Sequence, residues 1–331
     1  MQYVDNKFIK SVVILVNSLS TFSTYVSLNI TIMKNLIILA VGLLITVTVM
    51  AQETDKEAQD TATIKGPWSY KGMTSLNFSQ VSLTNWAQGG KSSYAINGLA
   101  ALNFNYTEGS NSWANSLDIG YGIQKIGEES PMKTDDHLEL VSKYGRQTSK
   151  NWLLTGMLNF KTQFTEGFQQ TETGKVIISD ILSPGYFLLS VGMEYKKDDS
   201  FFALLSPATG KITVVANDSL SNVGSFGVEP GKKMRSEFGG LVKIGANIDL
   251  MENVNLSTTL DLFSNYFENP QNIDISWKAL INMKINEYLS ANISTHLIYD
   301  DDIDWVDQEG TSQGPKVQFK EMVGIGFSYK F

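Results

Sequence analysis

Cysteine is absent from this 331-residue chain. That excludes disulfide staples, thiolate metal sites and the acylated cysteine of a lipoprotein anchor, so an exported protein of this size must be held by packing or by a closed hydrogen-bonded sheet. Histidine occurs only at His137 and His296, which leaves little material for imidazole chemistry. Proline is scarce, at 7 residues, and basic residues are outnumbered 26 to 34. A net charge of −8 makes nucleic acid a poor partner, because binding to phosphate rests on an excess of Lys and Arg. Beyond residue 51 no apolar run approaches the length of about 20 residues that a membrane-spanning helix needs.

One apolar run does stand near the front. From Met33 the chain reads MKNLIILAVGLLITVTVMAQ, with Lys34 as a positive start, an apolar stretch over Leu36–Val49, and small residues before Gln52. That is the pattern of a secretory signal peptide over 33–51, with Val49 and Ala51 at −3 and −1 of the cut. Residues 1–32 precede this start and read as a mis-assigned upstream extension, and 52–66 read as a polar periplasmic leader. Without residues 1–51 the chain loses Lys7, Lys10, Lys34 and Asp5, leaving 23 basic and 33 acidic residues, a formal charge of −10.

What the remainder has is glycine (27 in the whole chain), aromatics and alternation. Trp152, Leu154, Gly156, Leu158, Phe160, Thr162 and Phe164 share one parity, opposed by Thr155, Met157, Asn159, Lys161 and Gln163. Leu117, Ile119, Tyr121 and Ile123 oppose Ser116, Asp118, Gly120, Gly122 and Gln124. Ile273, Ile275, Trp277, Ala279, Ile281, Met283 and Ile285 oppose Asp274, Ser276, Lys278, Asn282 and Lys284. Charges confined to one parity give a period of two, hence strands with one apolar face. The last residues repeat the pattern: Val323, Ile325, Phe327, Tyr329 and Phe331 lie on one side, and Met322, Gly324, Gly326, Ser328 and Lys330 on the other.

Turn signals divide the chain into about twelve strands: 71–84, 91–107, 111–127, 134–148, 151–168, 184–198, 200–208, 234–250, 253–268, 272–286, 288–301 and 316–331. The connections alternate between brief (near 108–110, 149–150, 199, 251–252 and 287) and mostly long (128–133, 169–183, 209–233, 269–271 and 302–315). An even strand count, sorted loops and a terminal aromatic strand predict an all-β fold, a transmembrane antiparallel up-and-down β-barrel over 67–331 in the outer membrane of a Gram-negative bacterium. Trp113, Trp152, Tyr144 and Tyr266, near strand ends, suit interfacial aromatic girdles.

The segment Leu76–Gly90, LNFSQVSLTNWAQGG, resembles the opening strand and first loop of a family of Bacteroidota outer-membrane β-barrels of unknown function. The similarity continues through LLTGMLNFKTQF, SPGYFLLSVGMEY, FGGLVKIGANIDL and HLIYDDDI. The resemblance implies a barrel and carries no assigned activity. In that first loop Trp86 reads as an interfacial anchor rather than a binding residue.

Parity assigns Asp118, His137, Glu139, Lys143, Lys161, Lys243, Asp261, Lys278, Lys284 and His296 to the lumen. With Lys320, Glu194, Asp249 and Asp274, which share that parity, lysines and carboxylates balance, which fits a filled interior or a wet pore of weak ion preference. Phe327, Tyr329 and Phe331 form the signal expected to engage the barrel-assembly machinery. Asp300, Asp301, Asp302 and Asp304, followed by Asp307 and Glu309, offer carboxylates for a hard cation such as Ca2+, although the spacing is not that of an EF-hand. A solvated acidic loop is the plainer reading.

The functional expectation is a passive, porin-like channel for small solutes, not an enzyme. The alternatives are a structural or interaction subunit of a larger outer-membrane assembly, and a lipid-active hydrolase using His296 with Ser294. Expected partners are membrane lipid, lipopolysaccharide and other outer-membrane proteins.

Overall fold

A computed structural model describes residues 66–83, 90–171, 174–306 and 312–330. Sixteen strands follow in order: β1 (Trp68–Val81), β2 (Ser93–Glu108), β3 (Asn111–Ile126), β4 (Met132–Ser149), β5 (Trp152–Thr162), β6 (Gly167–Thr171), β7 (Gly174–Ser179), β8 (Gly185–Asp198), β9 (Phe201–Val214), β10 (Met234–Met251), β11 (Val254–Asn265), β12 (Asp274–Lys284), β13 (Leu289–Tyr299), β14 (Asp304–Val306), β15 (Ser312–Pro315) and β16 (Gln318–Lys330). Twelve of them close into one antiparallel barrel, while β6–β7 and β14–β15 are separate loop hairpins. The seam is β1 against β16, in register from Met73↔Lys330 to Asn77↔Gly326. Closure leaves no strand edge, which is the condition for a sheet to cross lipid. Among the described residues no helix is long and apolar enough to cross a membrane.

The barrel is apolar outside and polar inside. Leu76, Phe78, Leu154, Leu189, Leu205, Trp277, Val323, Ile325 and Phe327 are exposed on the outer wall. Ser75, Asn77, Thr155, Asn159, Glu194, Lys243, Asn282 and Asn292 are buried within. An outer face of this kind is stable in hydrocarbon and costly in water. Ring contacts link Trp68, Tyr106 and Trp113 at one rim, and Trp152, Tyr195 and Phe201 further round it. Phe238, Tyr266 and Phe267 group at the other rim. These are the girdles that the strand-end aromatics predict.

Connections sort by end. Gly109-Ser110, Lys150-Asn151, Asp199-Ser200, Glu252-Asn253 and Ile285–Tyr288 turn tightly at one end, and at the other the connections run from five residues (127–131) to twenty-two (163–184).

Two of the expected strand ends are corrected. β9 continues past residue 208 to Val214. Pro207 reads as a terminator, but the ladder absorbs it in a bulge, where the Ser206 hydroxyl bonds to Val191 O at 2.8 Å and Ala208 O at 3.0 Å. β5 stops at Thr162 rather than 168. Beyond it the Asp136 carboxylate accepts from the amides of Phe164 and Thr165 (2.8 and 3.0 Å) and turns the chain into the β6–β7 hairpin. Phe331, Trp86, Asp307, Glu309, the expected signal peptide and the expected leader up to residue 65 lie outside the described residues.

Candidate functional site: the lumen

Along β4 the pleat points Asp135, His137, Glu139, Val141 and Lys143 inward at every second residue. Glu139 is the hub. It accepts from Asn159 Nδ2 at 2.9 Å, bonds the Lys278 ammonium and stands 3.4 Å from Lys161 Nζ. Lys161 is also 3.5 Å from Asp261, which takes Lys243 Nζ at 2.7 Å. A second chain runs from Lys320 to Asp135, on to His137 Nδ1 (3.1 Å), and from His137 Nε2 to Asp118 (3.5 Å).

These bridges determine the shape of the barrel. β4 and β12 stand six places apart in a ring of twelve, so Glu139–Lys278 joins opposite walls. A circular twelve-stranded barrel is roughly 25 Å across from strand spacing and tilt. A Glu and a Lys end to end span only about 14 Å between Cα atoms. The barrel is therefore flattened, with β4 and β5 facing β11 and β12. Met157, Leu204, Leu241 and Phe263 pack together inside, with Val141 and Leu188 against them, and fill the β8–β10 side. The remaining space is a cavity of ≈ 810 Å³, reaching from Ile178, Phe226 and Ile303 in the loops down to Met73 and Leu280.

At the loop end Lys211 meets Asp274 at 2.7 Å and both Glu237 and Asp300 at 3.4 Å. Arg235 ties three connections together, bonding Gly227 O (3.3 Å), Glu268 (2.8 Å) and Asp302 (2.7 Å). Between β9 and β10 lies the short helix α1 (Asp218–Asn222), with Asn217 Oδ1 accepting from the Ser219 amide at its start. Val215, Leu220 and Val228 form a small core there with Ile177 of β7 and Phe226, so this loop and the β6–β7 hairpin pack over the mouth as one unit.

Of the residues that parity assigns to the lumen, Asp118, His137, Glu139, Lys161, Lys243, Asp261, Lys278 and His296 line the one cavity. Lys143, partly buried, pairs with the buried Glu194 at 2.8 Å and lies 3.7 Å above the Phe202 ring. Lys284 has the same parity but stands exposed at the short-turn rim. His296 Nε2 contacts Ser276 Oγ at 3.0 Å, across the β12–β13 ladder, and not Ser294, the serine of the sequence reading. Ser294 lies two residues along the same strand, which places it beside the imidazole and not opposite it.

The acidic loop does not converge on one point. Asp300 goes to Lys211, Asp301 accepts from Asn272 and from the Tyr299 hydroxyl (3.1 Å), Asp302 goes to Arg235, and Asp304 starts β14. Among the described residues no group of three or more His, Asp or Glu is arranged to hold a metal ion. Sequence reasoning missed Lys211 and Arg235. Sequence alone ends this strand at 208 and leaves Lys211 in the 209–233 connection, whereas the strand continues past a bulge after Ser206 that inverts its parity and turns Thr209, Lys211 and Thr213 inward.

Residues 78–168 match a family model described as a protein of unknown function (DUF3078). No curated protein matches the chain. Solved structures similar to it include an outer membrane channel from Pseudomonas putida F1, at 10% identity over 82% of this chain and 100% of that one, with a TM-score of 0.37. The translocator domain of the autotransporter NalP from Neisseria meningitidis aligns at 10% identity over 88% of this chain and 96% of that one (TM-score 0.33). Outer membrane phospholipase A from Escherichia coli aligns at 10% identity over 82% and 94% (TM-score 0.34).

Proposed function

We propose that the protein is an integral outer-membrane β-barrel whose lumen is a narrow passage for small polar solutes, obstructed at its waist by ion pairs that join opposite walls. The closed sheet, the apolar exterior, the two aromatic girdles and the signal-peptide pattern at 33–51 support the location. The observation that carries the passage reading is the cavity of ≈ 810 Å³, which reaches from the loops past the Asp135–Lys320 and Glu139–Lys278 bridges to Met73 and Leu280. Its volume falls in the range of about 300–1,000 Å³ of small-molecule sites. Charges of both signs on its wall give a solute hydrogen-bonding groups to exchange for water.

A hydrolase at Ser276–His296 is not favoured. The imidazole is paired in register with Lys278 on one side and Lys320 on the other. A general base that takes a serine proton becomes a cation, and two flanking ammoniums oppose that step where a carboxylate supports it.

Liposome swelling tests the passage. Proteoliposomes of the wild-type chain should admit small polyols slowly, and the Glu139→Ala/Lys278→Ala variant should admit them several-fold faster. Exclusion of every solute by both proteins, each inserted and heat-modifiable, would overturn the proposal.

A further inference from the structure

The chamber wall is short of donors and rich in acceptors. Each of its lysines, Lys133, Lys161, Lys211, Lys243, Lys278 and Lys320, is within 3.5 Å of a carboxylate. The reverse does not hold. Asp135 Oδ2 on the wall, and Glu237 Oε1 behind it, are buried without a hydrogen-bond partner, on side chains only 2% exposed. At the loop end one ammonium, that of Lys211, serves three carboxylates: Glu237, Asp274 and Asp300. Arg235 gives little relief, since it stands 3.5 Å from Glu237 and directs its shorter bonds to Glu268 and Asp302.

Aromatic and apolar surface adjoins this surplus of negative charge. Tyr186, Tyr299, Phe226 and Ile303 share the cavity wall with Asp274 and Asp300. Phe226 faces the cavity from a left-handed backbone (φ 60°), a conformation a bulky residue keeps only where its surroundings hold it. Lys211 itself lies 5.2 Å from the Phe263 ring centroid, so the pocket already seats an ammonium against an aromatic face.

We infer that the loop end of the chamber is a binding site for small organic cations, molecules that carry an ammonium group on an apolar body. The ammonium sits beside Lys211 between the wall carboxylates of Asp274 and Asp300, which share that one lysine with each other and with the buried Glu237. The apolar body lies on Phe226 and Tyr299. An anion has no free cation to meet on this wall and must break a buried ion pair to bind. A neutral solute leaves the carboxylate surplus in place. The inference names the solute class for the passage proposed above and rests on that reading.

Isothermal titration of the full-length chain, folded in detergent micelles, with 2-phenylethylammonium tests the site without any need for conduction. The wild type should bind the amine about tenfold or more tightly than it binds phenylacetate or 2-phenylethanol. Asp274→Asn/Asp300→Asn should weaken the amine by about tenfold or more and leave the alcohol unchanged. Asp300→Asn alone keeps the 2.7 Å Lys211–Asp274 bond and provides the same test if the double variant does not become heat-modifiable. No heat from the amine, equal affinity for phenylacetate or the alcohol, or unchanged affinity in the Asn variants would overturn the inference. A chain that binds the amine yet passes no solute sinks the passage and keeps the site, whereas one that passes solutes without binding the amine sinks only the site.

Discussion

Replacing Glu139 with alanine removes the carboxylate on which three lumenal donors converge, and the cost follows from what is left behind. Lys278 loses its one carboxylate partner, Lys161 keeps Asp261 at 3.5 Å, and the Asn159 amide loses its 2.9 Å acceptor. Truncating one member of a buried ion pair costs about 3–5 kcal/mol, chiefly because the other charge stays buried and uncompensated. The Lys278 side chain is 31% exposed and can turn toward water, so the lower end, about 3 kcal/mol, applies. Glu139→Ala/Lys278→Ala leaves no orphan of that pair and should be more stable than Glu139→Ala, with a coupling of about 1–3 kcal/mol in the cycle. Urea unfolding in lipid bilayers, read by tryptophan fluorescence and by the gel shift of the folded barrel, measures all four proteins. A Glu139→Ala chain as stable as wild type, or a double variant that costs the sum of the singles, would refute a bridge between opposite walls.

Three more outcomes follow from the same geometry. Arg235→Ala unties the loops that carry Gly227, Glu268 and Asp302; limited proteolysis should cut within 215–233 and 300–317 faster, while the barrel keeps its heat-modifiable mobility. Gly120→Ala places a methyl 2.2 Å from His137 Cε1 and 2.6 Å from Asp135 Oδ2, and should cost about 1–3 kcal/mol of unfolding free energy, whereas Gly156→Ala on the open outer wall should cost less. Since the chain has no cysteine, single thiols report parity cleanly: Leu158→Cys should react with a lipid-soluble maleimide in bilayers, and Thr259→Cys with a water-soluble one.

Twelve wall strands were legible because lipid and lumen impose opposite demands on alternate residues. Where that alternation is unbroken, as from Trp152 to Phe160 or from Asp274 to Lys284, the sequence-derived faces match the structure. Loop sorting was legible for a related reason, since tight turns need only two to four residues at one rim and the opposite rim tolerates insertions. Reading failed where a local event intervened. The bulge at Ser206–Thr209 hid Lys211, and the Asp136 cap ended β5 early. The flattening of the barrel was out of reach, because it depends on Glu139 and Lys278 meeting across 139 residues of sequence. Ser276 was missed as the partner of His296 because a cross-strand neighbour depends on register, which parity alone does not supply. The cluster Asp300–Asp304 is dense in sequence but fans out in space, drawn to Lys211 and Arg235 on neighbouring strands.

Single-channel recording in planar bilayers addresses the central claim, a lumen that is a passage crossed by ion pairs. The wild-type barrel should give small, infrequent conductance steps, and Glu139→Ala/Lys278→Ala should give larger and steadier ones. Silence from both folded proteins, or steps in the wild type already as large as in the double variant, would contradict it.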